Sequence, residues 1–354
     1  MAEIMTGEEL SRQVKSGEFF HEKDFSGVDC KGIDLSGGIF SNTCFNNCDF
    51  SETNLRETVF NDCAMEGTCF GKADLNETNF IKCNLENSDF REINTNAVKF
   101  INSDLKNSVF FRAVLRKMCL FTDSDLESSN FTESDLDIAV FNSCKMKNAD
   151  LSGSNLYKTT FFNCEFENNI FRNSKINLSL FHGAELNGID FSNMDLTQVQ
   201  FHNSVLAECD FSDTRLKQGG FMWAEMEKSK FDNAYLELAN FFEAKLAGSS
   251  FINANMKMAS MQNAVLTECN LSNAFLYQAQ LEGVSAMNSV FDGADLTYAD
   301  LSHGDIKKSS FTGVNLFMTN LHEIKDEDTK WTDTNKSIAR GTDPKRLKSE
   351  QWGK

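Results

Sequence analysis

The sequence predicts an all-β solenoid, and three observations carry that prediction. Large apolar residues recur every five positions over most of the chain. A small residue sits two positions ahead of nearly every one of them. Proline, which removes a backbone donor from any hydrogen-bonded ladder, is confined to Pro344.

The five-residue frame is clearest with Phe25 as a centre. Steps of five from Phe25 to Leu120 give 20 centres, of which only Cys30 and Thr95 are not large and apolar. The frame slips by one residue, placed at 121–125, resumes at Leu126 and runs to Leu321 for another 40 centres. Ala286 is the one small residue among these. Position minus two holds Ala, Ser, Thr, Val or Cys, as at Ala113, Ala184 and Ala299. A period of five matches neither the 3.6 of a helix nor the 2.0 of a flat strand. The chain must therefore turn the same way once per unit, with the centre and the small residue inward and three residues outward. Successive coils then stack through backbone hydrogen bonds at about 4.8 Å. The many Asn, Asp, Ser and Gly residues suit turns made without proline.

Units such as Ala73-Asp74-Leu75-Asn76-Glu77 and Ala149-Asp150-Leu151-Ser152-Gly153 resemble the pentapeptide-repeat family, whose units read A(D/N)LXX. The resemblance covers residues 23–323 and implies a right-handed quadrilateral β-helix with 20 residues per coil. About 60 centres on four faces make about 15 coils, a length of roughly 70 Å at the usual strand spacing.

The ends need caps, because a solenoid terminus exposes core and unpaired backbone. Residues 1–22 are assigned to a capping helix and lead-in. Thr6-Gly7-Glu8-Glu9 reads as a capping box that opens a helix with Leu10 and Val14 inward, stopped near Gly17. Residues 324–354 form the C-terminal cap or tail: Trp331 is expected over the last coil, and Asp343-Pro344 starts a short basic helix. The extra residue at 121–125 is expected as a bulged corner.

Charge and motif content narrow the function. The formal charge of −18 opposes direct nucleic-acid binding, which needs clustered Lys and Arg, and opposes docking on an anionic membrane. Residues 1–20 hold no signal-like apolar run, and no stretch approaches a membrane span, so a cytoplasmic protein is expected. Seven of the eleven cysteines, including Cys48, Cys63, Cys83, Cys144 and Cys164, fall at the small inward position and read as buried thiols. There is no CxxC pair, zinc spacing, phosphate loop or nucleophile motif. Carboxylates fall at outward positions every five residues. An enzyme is not expected, nor is a metal or cofactor.

Function should therefore lie on outward residues. Read one position after each centre, three faces are polar: one runs Ser26, Asn46, Glu66, Glu86, and another Ser36, Arg56, Asn76, Asn96, Arg116, Asp137, Tyr157, Asn177. The fourth runs Ile81, Ile101, Phe121, Asn142, Phe162, His182, His202, Met222 and Phe242, with Trp223 beside Met222. An apolar stripe of this length marks a contact surface. A rigid scaffold for a protein partner, or for a homodimer, is the leading expectation. The two histidines could instead sense pH or bind a metal. The resemblance adds two alternatives: an acidic nucleic-acid mimic that binds DNA gyrase, as quinolone-resistance pentapeptide proteins do, and an effector or accessory of a bacterial secretion system.

Overall fold

A computed structural model describes residues 5–352. The chain forms two compact units that divide between Leu180 and Phe181.

Unit 1 opens with α1 (Gly7–Lys15), capped by Thr6. The Glu9 amide donates to Thr6 Oγ1 at 3.3 Å and the Thr6 amide to Glu9 Oε2 at 3.0 Å, closing the capping box. Leu10 and Val14 are buried. The helix lies tight on the first coil, since a Cβ at Gly7 would stand 2.3 Å from the Asp29 carbonyl oxygen. Lys15 bridges to Asp34 at 2.9 Å.

The coils that follow are four-sided. One face consists of three-residue parallel strands: β1 (Phe19–His21), β2 (Ile39–Ser41), β3 (Val59–Asn61), β4 (Asn79–Ile81), β6 (Lys99–Ile101), β8 (Leu120–Thr122), β9 (Val140–Asn142) and β10 (Thr160–Phe162), hydrogen-bonded in that order. On another face β5 (Asn94–Asn96) pairs with β7 (Val114–Arg116). The remaining sides meet through single bridges such as Asp24↔Cys44, Asp29↔Asp49 and Asp34↔Asn54, always 20 residues apart.

The repeat unit explains itself in hydrogen bonds. The centre donates its amide to the next coil, as Phe25 does to the Cys44 carbonyl at 2.8 Å. The residue before a centre donates to the previous coil, as Cys44 does to Lys23 at 2.8 Å. The small residue closes a turn, as Val28 does on the Phe25 carbonyl at 3.0 Å. The residue two after each centre lies in the left-handed region, for example Asn47 at φ 57° and Lys72 at φ 59°. Only Gly, Asn and Asp adopt this region cheaply, and proline is barred from it.

Inside, phenylalanines stack down the coils. Phe60 and Phe80 lie 5.2 Å apart and nearly parallel, while Phe70 meets Phe80 edge-on at 5.5 Å. Hydroxyls and thiols at the small position donate to a carbonyl 23 residues earlier, as Thr58 does to Leu35 at 3.0 Å and Cys48 to Phe25 at 3.0 Å. That is why Ser, Thr, Cys and Ala share the position.

The slip is real but lies earlier than 121–125. Register shifts from 20 to 21 where Phe100 pairs with Phe121. The added residue sits at the corner Lys117-Met118, where both have positive φ and Met118 is exposed. Phe121, not Leu120, is therefore the buried centre, and Cys119 joins the inward cysteines. Sequence spacing could not choose, since Leu120 and Phe121 are equally apolar.

Unit 2 repeats the same coil through bridges from Glu185↔Val205 to Asn320↔Arg340. At 20 residues per coil, residues 19–180 and 181–340 hold about eight coils each, within one of the sequence count. The coil after Leu321 keeps its bridges at Lys325, Lys330 and Arg340 but turns through a short 3-10 helix (Lys336–Ile338) on one side, and Asp326 and Lys336 stand in place of apolar centres on either side of Trp331. Lys336 bridges Asp326 at 2.7 Å and lies 4.3 Å over the Trp331 ring, which packs on Phe311 at 4.8 Å. A charged last coil covers the core and discourages edge pairing. Helix α2 (Pro344–Glu350), capped by Asp343, follows. No helix among the described residues is long and apolar enough to cross a membrane.

Candidate interaction surface

The predicted stripe falls into separate pieces in the two units. In unit 1 it belongs to the strand face through Phe40. Ile81 and Ile101 pair in register across β4 and β6 and are half-buried. Phe121 does not belong to the surface. It is fully buried between Phe100 and Phe141, and Thr122 takes its outward place. Phe162 is 39% exposed on β10, beside Asn142 of β9.

Reading only the position after each centre missed half of this face, because a three-residue strand points both flanking residues outward. The row before the centres adds Phe19, Ile39, Val59, Leu120 and Val140. With Ile81, Ile101 and Phe162, each of the eight strands carries one outward apolar side chain, zigzagging between the two rows.

In unit 2, His182, His202, Met222 and Phe242 follow the buried centres Phe181, Phe201, Phe221 and Phe241 and are half-buried. Trp223 occupies a left-handed turn position at φ 57° and is 44% exposed. Its Nε1 donates to Glu243 at 3.1 Å, and its ring meets Phe242 edge-on at 6.2 Å. Gly220 leaves the space into which Gln200 and His202 lean, since a Cβ there would stand 2.5 Å from His202 Nε2. Burial holds the His202 imidazole below its ordinary value, and the neighbouring His182 adds to the effect.

Further along the same column, α2 closes over the surface. Glu350 receives His322 Nε2 at 3.1 Å and Arg346 Nε at 2.7 Å, and lies 3.3 Å from His303 Nε2. Arg346 and His322 hold the Glu350 carboxyl down to about 2. The ligand atoms of His303, His322 and Glu350 lie within 4.8 Å of one another, a spacing that could hold a cation. Two contacts oppose one. His322 Nδ1 accepts the Asp343 amide at 3.0 Å, which places the ring proton on Nε2. The Arg346 guanidinium already stands 3.2 Å from His303 Nε2. The cluster is a latch for α2.

The polar reading of the column through Ser36 is already interrupted in unit 1, where Tyr157 and the left-handed Ile138 and Leu178 are exposed, and it fails in unit 2. Counted on past Asn177 it reaches Tyr277 and Phe317, and the same face of unit 2, through Leu236, adds Tyr235 and Phe275 before the centres. The left-handed positions supply Leu238, Met258, Tyr298 and Met318. Phe275 stacks on Tyr277 at 6.0 Å, Tyr277 meets Tyr298 at 5.9 Å, and Tyr298 meets Phe317 at 5.6 Å, both edge-on. Continuing the count and including the turn position would have shown this ladder.

The thiols fit a structural role. All eleven cysteines are free. Burial pushes Cys30, Cys209 and Cys269 up to about 12, and Cys48 and Cys119 to about 11. Only Cys44 and Cys69 are not buried.

Known families match this repeat. Residues 38–116 and 134–211 match the pentapeptide repeat region model. Residues 221–257, 249–285 and 276–313 match the model of pentapeptide repeats in eight copies. A comparison with curated protein sequences finds no match. Among solved structures, the plasmid-mediated fluoroquinolone resistance protein QnrB1 is 20% identical, covering 51% of this chain and 87% of that one, with a TM-score of 0.29. HetL of the cyanobacterium Nostoc, a pentapeptide repeat protein involved in heterocyst differentiation regulation, is 19% identical, covering 89% and 96%, with a TM-score of 0.20. A pentapeptide repeat protein of the Arabidopsis thaliana thylakoid lumen is 26% identical, covering 38% and 70%, with a TM-score of 0.17. With family matches over more than half of its length and a four-sided coil of 20 residues, the chain belongs to the pentapeptide-repeat proteins.

Proposed function

We propose that this protein is a non-enzymatic scaffold that docks a protein partner along the strand face of unit 1 and the Trp223–Phe242 patch of unit 2. One observation carries the reading: eight consecutive strands each present one apolar side chain to solvent or half-cover it. Apolar outward residues in one continuous track are the usual mark of a contact surface. Aromatic residues and Met are the types enriched at interface cores. The docking residues are Ile81, Ile101 and Phe162 in unit 1, with His182, His202, Met222, Trp223 and Phe242 in unit 2.

The test is a capture from the native host with the wild-type chain and two variants, Ile81→Glu/Phe162→Glu and Met222→Glu/Phe242→Glu. A partner lost from either variant places docking on that unit. A partner kept by both rejects the reading.

The charge of −18 favours a second reading, an acidic mimic of nucleic acid that binds a DNA-handling enzyme such as gyrase. Many carboxylates serve the turns instead: Asp29, Asp34 and Asp150 each accept the amide two residues on, at 2.8–2.9 Å. Inhibition of gyrase supercoiling by micromolar protein would support mimicry, and its absence would remove it.

A further inference from the structure

We propose that the Leu236 face of unit 2 is a self-association surface, on which a second copy of this chain packs about a two-fold axis. This surface is separate from the docking faces above, and the inference does not rest on them.

Three observations point to it. The first is apolar content. Across the coils centred on Leu196 to Leu316, the positions before, after and two after each centre hold eight aromatic or aliphatic residues out of 21. Four of them, Phe275, Tyr277, Tyr298 and Phe317, form a continuous ring ladder. Tyr235 is 57% exposed, and Leu238, Met258, Phe275, Tyr298, Phe317 and Ile338 each exceed a third. At about 200 Å² per large side chain, this amounts to roughly 600 Å² of apolar surface. A stable interface takes about 800 Å² from each partner, polar rim included.

The second observation is backbone cost. Leu238, Met258, Tyr298 and Met318 sit at positive φ, where Asn or Gly would fit with less strain. Bulky apolar residues at such positions, concentrated on one face, gain nothing from the core, because they point away from it.

The third observation is charge, and it selects the occupant. Copies carrying −18 each repel one another and can meet only where the local charge is small. These 21 positions hold Asp195, Glu237 and Asp295 against Arg215, Lys217 and Lys257, so the face is neutral. A strongly basic or acidic partner would find no complement there.

The test is the mass of the full chain by analytical ultracentrifugation over a concentration series. Wild type should sediment as a dimer that tightens as salt screens the net repulsion. Tyr298→Glu/Phe317→Glu should loosen it at least ~100-fold, with thermal unfolding unchanged. Phe162→Glu in unit 1 should leave it intact. A wild-type chain still monomeric at roughly 100 µM, or a dimer indifferent to Tyr298→Glu/Phe317→Glu, overturns the proposal.

Discussion

The column that begins at Ser36 in unit 1 and the face from Asp195 to Met318 in unit 2 take the same place in the repeat, yet their surfaces differ. In unit 1 it is mostly polar, apart from exposed Ile138, Tyr157 and Leu178, and laced with ion pairs such as Arg56–Asp74 and Arg116–Asp135. In unit 2 it carries the ring ladder from Phe275 to Phe317. Beneath both, the cores are alike: Phe90 stacks on Phe110 at 4.7 Å and Phe231 on Phe251 at 4.8 Å. The repeat fixes the two inward residues of every five and, apart from the left-handed turn two after each centre, leaves the other three to selection for contact. A solenoid can therefore change its surface chemistry from one coil to the next without touching its stability.

That separation can be broken most forcefully from the inside. Phe231→Ala should cost about 3–5 kcal/mol, the range for emptying a packed aromatic site. Phe317→Ala, at an exposed side chain that points away from the core, should stay within about 0.5 kcal/mol while weakening self-association. Denaturant unfolding of both variants measures the contrast. Equal losses would show that surface and core are not independent.

A smaller effect is expected at Thr95, a polar residue in a core position whose buried Oγ1 has no hydrogen-bond partner. Thr95→Val keeps the shape and removes the orphan hydroxyl. It should stabilise unit 1 by about 1 kcal/mol, read as a higher denaturant midpoint at constant slope.

The latch on α2 responds to pH with a definite sign. The Glu350 carboxyl is lowered from 4.5 to about 2 in the folded protein. The unfolded or undocked carboxyl thus binds its proton first, and docking loses stability as pH falls from 4.5 towards 2. Hydrogen exchange in residues 344–350 should accelerate over that window. Glu350→Gln should show fast exchange already at pH 7. An unchanged exchange rate in the Gln variant would remove Glu350 from the latch.

The mildest contrast is chemical. Cys44 and Cys69 should react with a thiol reagent in the native protein, and the nine buried cysteines only on unfolding. Mass spectrometry of the labelled peptides counts them directly.

The candidate surface was legible in proportion to how each residue is held. Ile81, Ile101 and Phe162 were readable because they follow an unambiguous centre by one. Phe121 was misplaced because two apolar neighbours compete for one inward site, and only the turn at Lys117-Met118 decides between them. Val59, Val140, Leu238 and Tyr298 were overlooked because strand and left-handed turn expose different positions of the same unit.

By itself the sequence determined the coil: a period of five with two inward residues admits one way to bury every centre, and the capping box at Thr6 specifies where α1 begins. Tertiary structure decided what no spacing encodes. It chose the face that extends into three-residue strands, since that depends on pairing with coils above and below. It set the corner that absorbs the extra residue. It also brought Glu350 onto His303 and His322, because a helix that follows the last coil can fold back only where side chains far apart in the chain offer it partners.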